Sequence, residues 1–184
     1  MTDTDPPDST VSGLRTLIDA ETLQRRIAEL AEQIDRDYRD VESLLCIGVL
    51  KGAVFFLVDL LKQVSVPVVI DFFQTSSYRE GTRPGEVFIR KDVELPIAGR
   101  DVLLIEDIVD TGHTLRTVLQ LLSFRGAKSV RLCALLDKHE AREVEIPIDY
   151  CGFRIADRFV VGYGLDYAER HRNLPYIGYY EEGE

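Results

Sequence analysis

The chain has 184 residues, 45% hydrophobic and 29% charged, which is room for one soluble domain with a sizeable core. Its formal net charge of −10 argues against a nucleic-acid backbone as the main partner, because binding one needs clustered Lys and Arg. Small phosphorylated ligands stay open, since a few local cations, backbone N–H groups or a metal can hold them.

The opening stretch MTDTDPPDSTVSG, residues 1–13, is acidic and rich in Pro, Ser and Thr. It predicts a disordered tail and is unlike a secretory signal. No apolar run approaches membrane-spanning length, so a cytoplasmic protein with no membrane partner is expected. From Glu21 to Asp40 the residues Leu23, Ile27, Leu30, Ala31, Ile34 and Tyr38 recur at helical spacing, which predicts an amphipathic helix. SLLCIGVL (43–50) is a nearly continuous apolar run, as in a strand covered on both faces. AVFFLVDLLKQV (53–64) reads as a helix, and VPVVIDFFQTSS (66–77) as a strand.

YREGTRPGE (78–86), with two Gly and a Pro, predicts a loop, and VFIRKDV (87–93) another strand. LPIAGR (95–100) connects to the strand DVLLI (101–105). Leu115, Val118, Leu119 and Leu122 mark a helix that Gly126 can end. SVRLCALLD (129–137) reads as a strand, and the tail from Glu143 holds short β-like pieces with Gly breaks. Apolar strands alternating with helices predict a mostly parallel α/β sheet flanked by helices. Residues 14–184 form one expected domain: a core over about 41–142 and a cap built from about 14–40 and 143–184. Cys46, Cys133 and Cys151 share no metal-ligand spacing, and the first two sit inside apolar runs, as core thiols in a reducing compartment do.

The informative stretch is DVLLIEDIVDTGHTL (101–115). It places Glu106, Asp107 and Asp110 where an apolar strand gives way to a helix start. In open α/β sheets, ligands bind beyond the carboxyl ends of the strands. Thr111, Gly112 and Thr114 add hydroxyls and a flexible backbone beside unpaired helix N–H groups, a suitable phosphate cradle. Capping of the helix by Asp110 or Thr111 is the plainer reading, but it accounts for one acid rather than three. A hydroxyl-bearing sugar with a divalent cation uses all of them.

VLLIEDIVDTGHTL closely resembles the phosphoribosyl-pyrophosphate (PRPP) motif of type I phosphoribosyltransferases. Together with other segments it resembles the hypoxanthine-guanine phosphoribosyltransferases from about residue 40 to Tyr176. The resemblance implies the type I phosphoribosyltransferase fold, with a mostly parallel twisted sheet and a small hood made by the chain ends. It implies purine salvage: transfer of the 5-phosphoribosyl group of PRPP to N9 of hypoxanthine or guanine, giving IMP or GMP and pyrophosphate, with Mg²⁺ as cofactor. Glu106 and Asp107 then hold the ribose and its metal. Asp110, Thr111, Gly112, His113 and Thr114 surround the 5′-phosphate, and Asp110 also serves purine N7 as proton acceptor or donor.

Further segments carry the rest of the resemblance. GVLKGAVFF (48–56) matches the loop that meets pyrophosphate through Lys51 and Gly52, often with a non-proline cis peptide before the Lys. TSSYREGTRPG (75–85) matches a mobile loop, with Ser77 and Tyr78 as its matching pair. LLDKHEAR (135–142) supplies Lys138 for the purine 6-oxo group. DRFVVGYGLDY (157–167) supplies Phe159 to stack on the base, Val160 to read its edge and Asp166 for a second Mg²⁺. Arg172 matches a pyrophosphate-binding Arg, and a dimer or tetramer is implied. Taken singly, each has an ordinary alternative: a surface Lys or Arg, a flexible hairpin, an aromatic core residue. His113 stands at a position that varies among relatives, where its N–H can matter more than its ring.

A non-catalytic PRPP sensor that binds nucleic acid is the rival class. Members of that class usually carry a DNA-binding appendage or a basic face, which this sequence does not show, and they do not require Lys138, Phe159 and Asp166. Transfer to uracil or orotate shares the PRPP motif but does not predict DKHEAR and DRFVVGYGLDY together.

Overall fold

Strand β2 (Leu44–Val49, LLCIGV) is apolar and buried at every position, so both its faces need cover. In the computed structural model, which describes residues 13–76 and 88–181, it lies inside a six-stranded sheet. The order is β4 (Phe88–Lys91), β3 (Val68–Ser76), β2, β5 (Asp101–Val109), β6 (Ser129–Asp137), β7 (Tyr150–Arg154). Neighbours pair in parallel except β4, which runs antiparallel along one edge.

The period-two alternation of a strand decides which layer covers which residue. Cys46 of β2, Leu103 of β5 and Cys133 of β6 face helices α1 (Ala20–Asp37) and α2 (Val54–Leu61), meeting Leu23, Ile27, Leu30, Phe56 and Leu60. Their neighbours Leu45, Leu104 and Leu132 face Leu115, Val118 and Leu122 of α3 (His113–Phe124). Gly126 ends that helix with φ 83, a conformation that favours glycine. Cys46 and Cys133 are buried thiols without disulfides. No helix among the described residues is long and apolar enough to cross a membrane.

A second, three-stranded sheet of order β1-β9-β8 joins the two ends of the chain: β1 (Leu14–Ile18), β8 (Val160–Val161) and β9 (Ile177–Tyr180). This hood is smaller than expected. The region 14–40 contributes only β1 to its sheet, and the apolar stripe of α1 packs in one cluster with the main sheet and with Val160, Tyr163 and Ile177 of the C-terminal segment. Asp19 caps α1, its carboxylate accepting from the Thr22 N–H at 2.7 Å. Nor does the core stop near 142: β7 adds to the main sheet in parallel with β6. Residues 1–12 and the loop carrying Ser77 and Tyr78 lie outside the described residues.

Candidate active site

Strand β5 runs further than the apolar pattern indicates, to Val109, so Glu106 and Asp107 belong to the strand and only Asp110 to the turn. Asp107 is buried, and Glu106 is half-buried with its Oε2 out of water. Burial pushes the Glu106 carboxyl well above its ordinary range, the Asp107 charge adds to this, and a hydrogen bond joins the two side chains. Burial also raises Asp107, against the Ile108 N–H, which donates to its carboxylate at 2.9 Å. Oε2 of Glu106 is buried with no hydrogen-bond partner. Such a group carries an unmet demand for a cation or a hydroxyl.

Beside it opens a cavity of about 200 Å³, lined by Glu106, Asp110, Thr111, Gly112 and Thr114 together with apolar groups of β2, β5 and α3. The N-cap of α3 is Gly112, at φ 89, and no side chain caps the helix. Capping therefore does not explain Asp110 or Thr111, and the amides of the first turn remain available to an anion. His113 opens the helix, but Nε2 of its ring lies 2.8 Å from Oε2 of Glu143, and the ring does not line the cavity. The N–H groups of Glu143 and Val144 both donate to the Thr111 carbonyl, pinning the 143–144 segment against the turn.

Parallel register brings the next cation in. Val109 pairs with Asp137, so Asp110 and Lys138 leave the sheet side by side. Lys138 is buried, its N–H donating to the Val109 carbonyl at 3.0 Å. Its ammonium donates to Asp157 Oδ1 at 3.2 Å and lies 3.9 Å from Asp110 Oδ2. Phe159 is 57% exposed, edge-on to Tyr167 with ring centroids 5.6 Å apart, while the adjacent Val160 is buried in β8.

The turn between β2 and α2 carries a cis Leu50–Lys51 peptide. A Cβ on Gly52 would lie 1.6 Å from Asp107 Oδ2, and one on Gly164 would lie 2.0 Å from the Gly52 carbonyl oxygen. The turn is thus clasped between β5 and the hood. Arg172 donates to the Gly164 carbonyl at 2.7 Å and pairs with Asp166 at 2.7 Å, and Lys51 reaches Glu169 at 3.0 Å. No three His, Cys, Asp or Glu side chains among the described residues gather as a closed metal cage, so Asp166 does not join the Glu106–Asp107 pair in one cluster. Magnesium is compatible with that, since it is commonly held by one or two carboxylates plus ligand phosphates and water.

Asp157, Gly164 and Glu169 belong to this site although sequence reasoning passed over them. Gly164 had a signal, the second glycine of VGYG within the purine segment, and Asp157 opens that same segment, whereas nothing local marked Glu169. A larger groove, of about 540 Å³, is lined by Asp137, Arg142, Cys151 and Arg154 among others. Its buried acid is already neutralised, since Asp137 pairs with Arg142 and lies 3.7 Å from Arg154.

The parallel sheet, the acid pair at its strand end and the uncapped helix start are those of a phosphoribosyl-transferring fold. Residues 15–168 match the phosphoribosyl transferase domain, and the chain belongs to that family. Within it, the chain is 47% identical over 165 residues to the hypoxanthine phosphoribosyltransferase of Haemophilus influenzae, covering 88% of this chain and 92% of that one. It is also 47% identical over 165 residues to the hypoxanthine-guanine phosphoribosyltransferase of Bacillus subtilis, covering 89% and 91%. A crystal structure of a hypoxanthine phosphoribosyltransferase from Staphylococcus aureus superposes with a TM-score of 0.86 at 45% identity, covering 91% of both chains.

Proposed function

We propose that the chain is a purine-salvage enzyme that transfers the 5-phosphoribosyl group of PRPP to N9 of hypoxanthine or guanine, releasing pyrophosphate and IMP or GMP. The observation that carries this reading is the buried Oε2 of Glu106, which has no hydrogen-bond partner, beside the uncapped start of α3 in one cavity. Amides and hydroxyls of residues 110–114 receive the 5′-phosphate. Glu106 and Asp107 accept from the ribose hydroxyls, and their charge fits Mg²⁺, which when bound neutralises part of the diphosphate charge. Asp166 is the corresponding acid on the hood side.

Displacement at the anomeric carbon forms the N9–C1′ bond while the C1′–O bond breaks, its electron pair leaving with pyrophosphate. The transition state resembles a sugar cation. Lys51, the Gly52 amide and Arg172 receive the departing charge. Lys138 donates to the purine 6-oxo group, which a 6-amino purine cannot accept in the same way. Phe159 stacks on the base, and backbone at Val160 reads its edge. Asp110, beside Lys138, takes or returns the proton at N7, and a hydrogen bond that strengthens as charge develops suffices for that role. Ser77 and Tyr78, expected to help keep water from the reacting sugar, lie outside the described residues. The protein works in the cytoplasm and self-associates, the exposed Ile70 and Ile89 near the β3–β4 edge supplying apolar surface.

An ultraviolet assay with PRPP, Mg²⁺ and five bases (hypoxanthine, guanine, xanthine, adenine, uracil) tests the reading. Turnover restricted to 6-oxopurines, abolished by EDTA and restored by Mg²⁺, is expected. Metal-independent turnover, or no calorimetric heat on titrating PRPP with Mg²⁺, overturns it.

A further inference from the structure

Glu169 stands among the cations that the proposed function assigns to pyrophosphate. Its Oε2 accepts from Lys51 Nζ at 3.0 Å and lies 3.4 Å from Arg172 Nη2. Lys51 comes from the turn after β2 and Arg172 from the hood, so a single carboxylate ties together groups from two parts of the fold. The backbone presents it there deliberately. Ala168, Glu169 and His171 adopt φ of 50, 63 and 75, values unusual for residues with a Cβ, and the Glu169 N–H is anchored to Asp166 Oδ2 at 2.9 Å. The same Asp166 holds Arg172 at 2.7 Å. The loop is therefore shaped to hold an anion over the cation pair.

Exposed ion pairs of this kind contribute little to stability, and the Glu169 side chain is free to swing toward solvent. A diphosphate carries more charge and more acceptor oxygens than one carboxylate, so it displaces Glu169. When it departs, the carboxylate can return and keep the two cations from facing each other bare.

We infer that Glu169 is a built-in stand-in for the leaving group, competing with pyrophosphate for Lys51 and Arg172 and so easing product release. The inference rests on the proposed assignment of those two cations to pyrophosphate. It makes Glu169 a positioning residue whose removal tightens ligand binding, whereas loss of a structural contact would weaken it.

The test is calorimetric titration of the full chain with inorganic pyrophosphate in the presence of Mg²⁺, for wild type, Glu169→Gln, Glu169→Ala and Lys51→Ala. Both Glu169 variants are expected to bind about two- to tenfold tighter, in keeping with an exposed pair, and to lose that gain at high salt. Product inhibition by pyrophosphate should strengthen in parallel in steady-state assays. Lys51→Ala should bind more weakly. If Lys51→Ala weakens binding but neither Glu169 variant tightens it, the stand-in role is wrong and the pyrophosphate assignment stands. If wild type binds no pyrophosphate, or Lys51→Ala binds as wild type does, the assignment fails and takes the inference with it.

Discussion

The ammonium of Lys138 lies 3.9 Å from the Asp110 carboxylate, although the two residues follow different strands and neither local segment refers to the other. The parallel register of β5 and β6, with Val109 opposite Asp137, produces the pair. A base-reading cation is thereby placed next to a proton-handling acid. Lys138→Ala is expected to reduce kcat/KM for hypoxanthine far more than any residual rate with adenine. Unchanged selectivity between 6-oxo and 6-amino purines would make Lys138 a bystander.

Asp110→Asn should preserve the fold, because its side chain is exposed and no side-chain cap on α3 depends on it. Turnover is expected to fall by roughly 10²–10⁴, the range for a positioned acid or base, with the melting temperature within about 2 °C of wild type. A wild-type kcat would remove Asp110 from proton transfer.

Glu106 couples function to stability. Its carboxyl is raised by burial and by Asp107, so above the ordinary carboxylate pKa, near 4.3, the folded state holds a proton that the unfolded chain releases. Stability from this group is full below that ordinary value and is lost as pH rises toward the elevated one. Glu106→Gln removes the penalty and keeps a donor for Asp107. At pH 7.5 its melting temperature should rise by roughly 2–5 °C, and the gain should vanish near pH 4. Affinity for PRPP with Mg²⁺ should fall. Equal melting curves at both pH values would show that the acid pair is not under strain.

Gly52→Ala has nowhere to put a methyl, since its Cβ would overlap the Asp107 carboxylate at 1.6 Å. The turn must move or Asp107 must rotate, costing about 1–3 kcal/mol as overpacking does. Denaturation midpoint and turnover should therefore drop together. Gly164→Ala should act on the same contact from the other side, with its φ of 102 adding to the cost. A variant with normal stability and turnover would mean that the clasp is loose in solution.

Ile27→Ala tests where α1 belongs. The side chain is fully buried against the main sheet, so about 2–5 kcal/mol of unfolding free energy should be lost. KM for both substrates should be unchanged wherever the variant remains folded. A loss under 1 kcal/mol would place the helix on a softer surface than the sheet.

Much of this protein was readable along the chain. The apolar run 44–49, the helical stripe Leu23-Ile27-Leu30-Ile34 and the strand 129–137 announce themselves because strand and helix periods are local properties. The acids at 106, 107 and 110 stood out because an apolar strand rarely ends in three carboxylates without a ligand to meet them. What the stripe on α1 could not convey is which surface it would cover, since a hood and a sheet present the same hydrophobicity to a helix. Register between strands joined Lys138 to Asp110, and close backbone approach demanded glycine at 52 and 164. The folding-back of the hood set Glu169 over Lys51. Those contacts join residues far apart in sequence, and only the packed chain, in which each polar group must find a partner or remain conspicuously without one, could decide them.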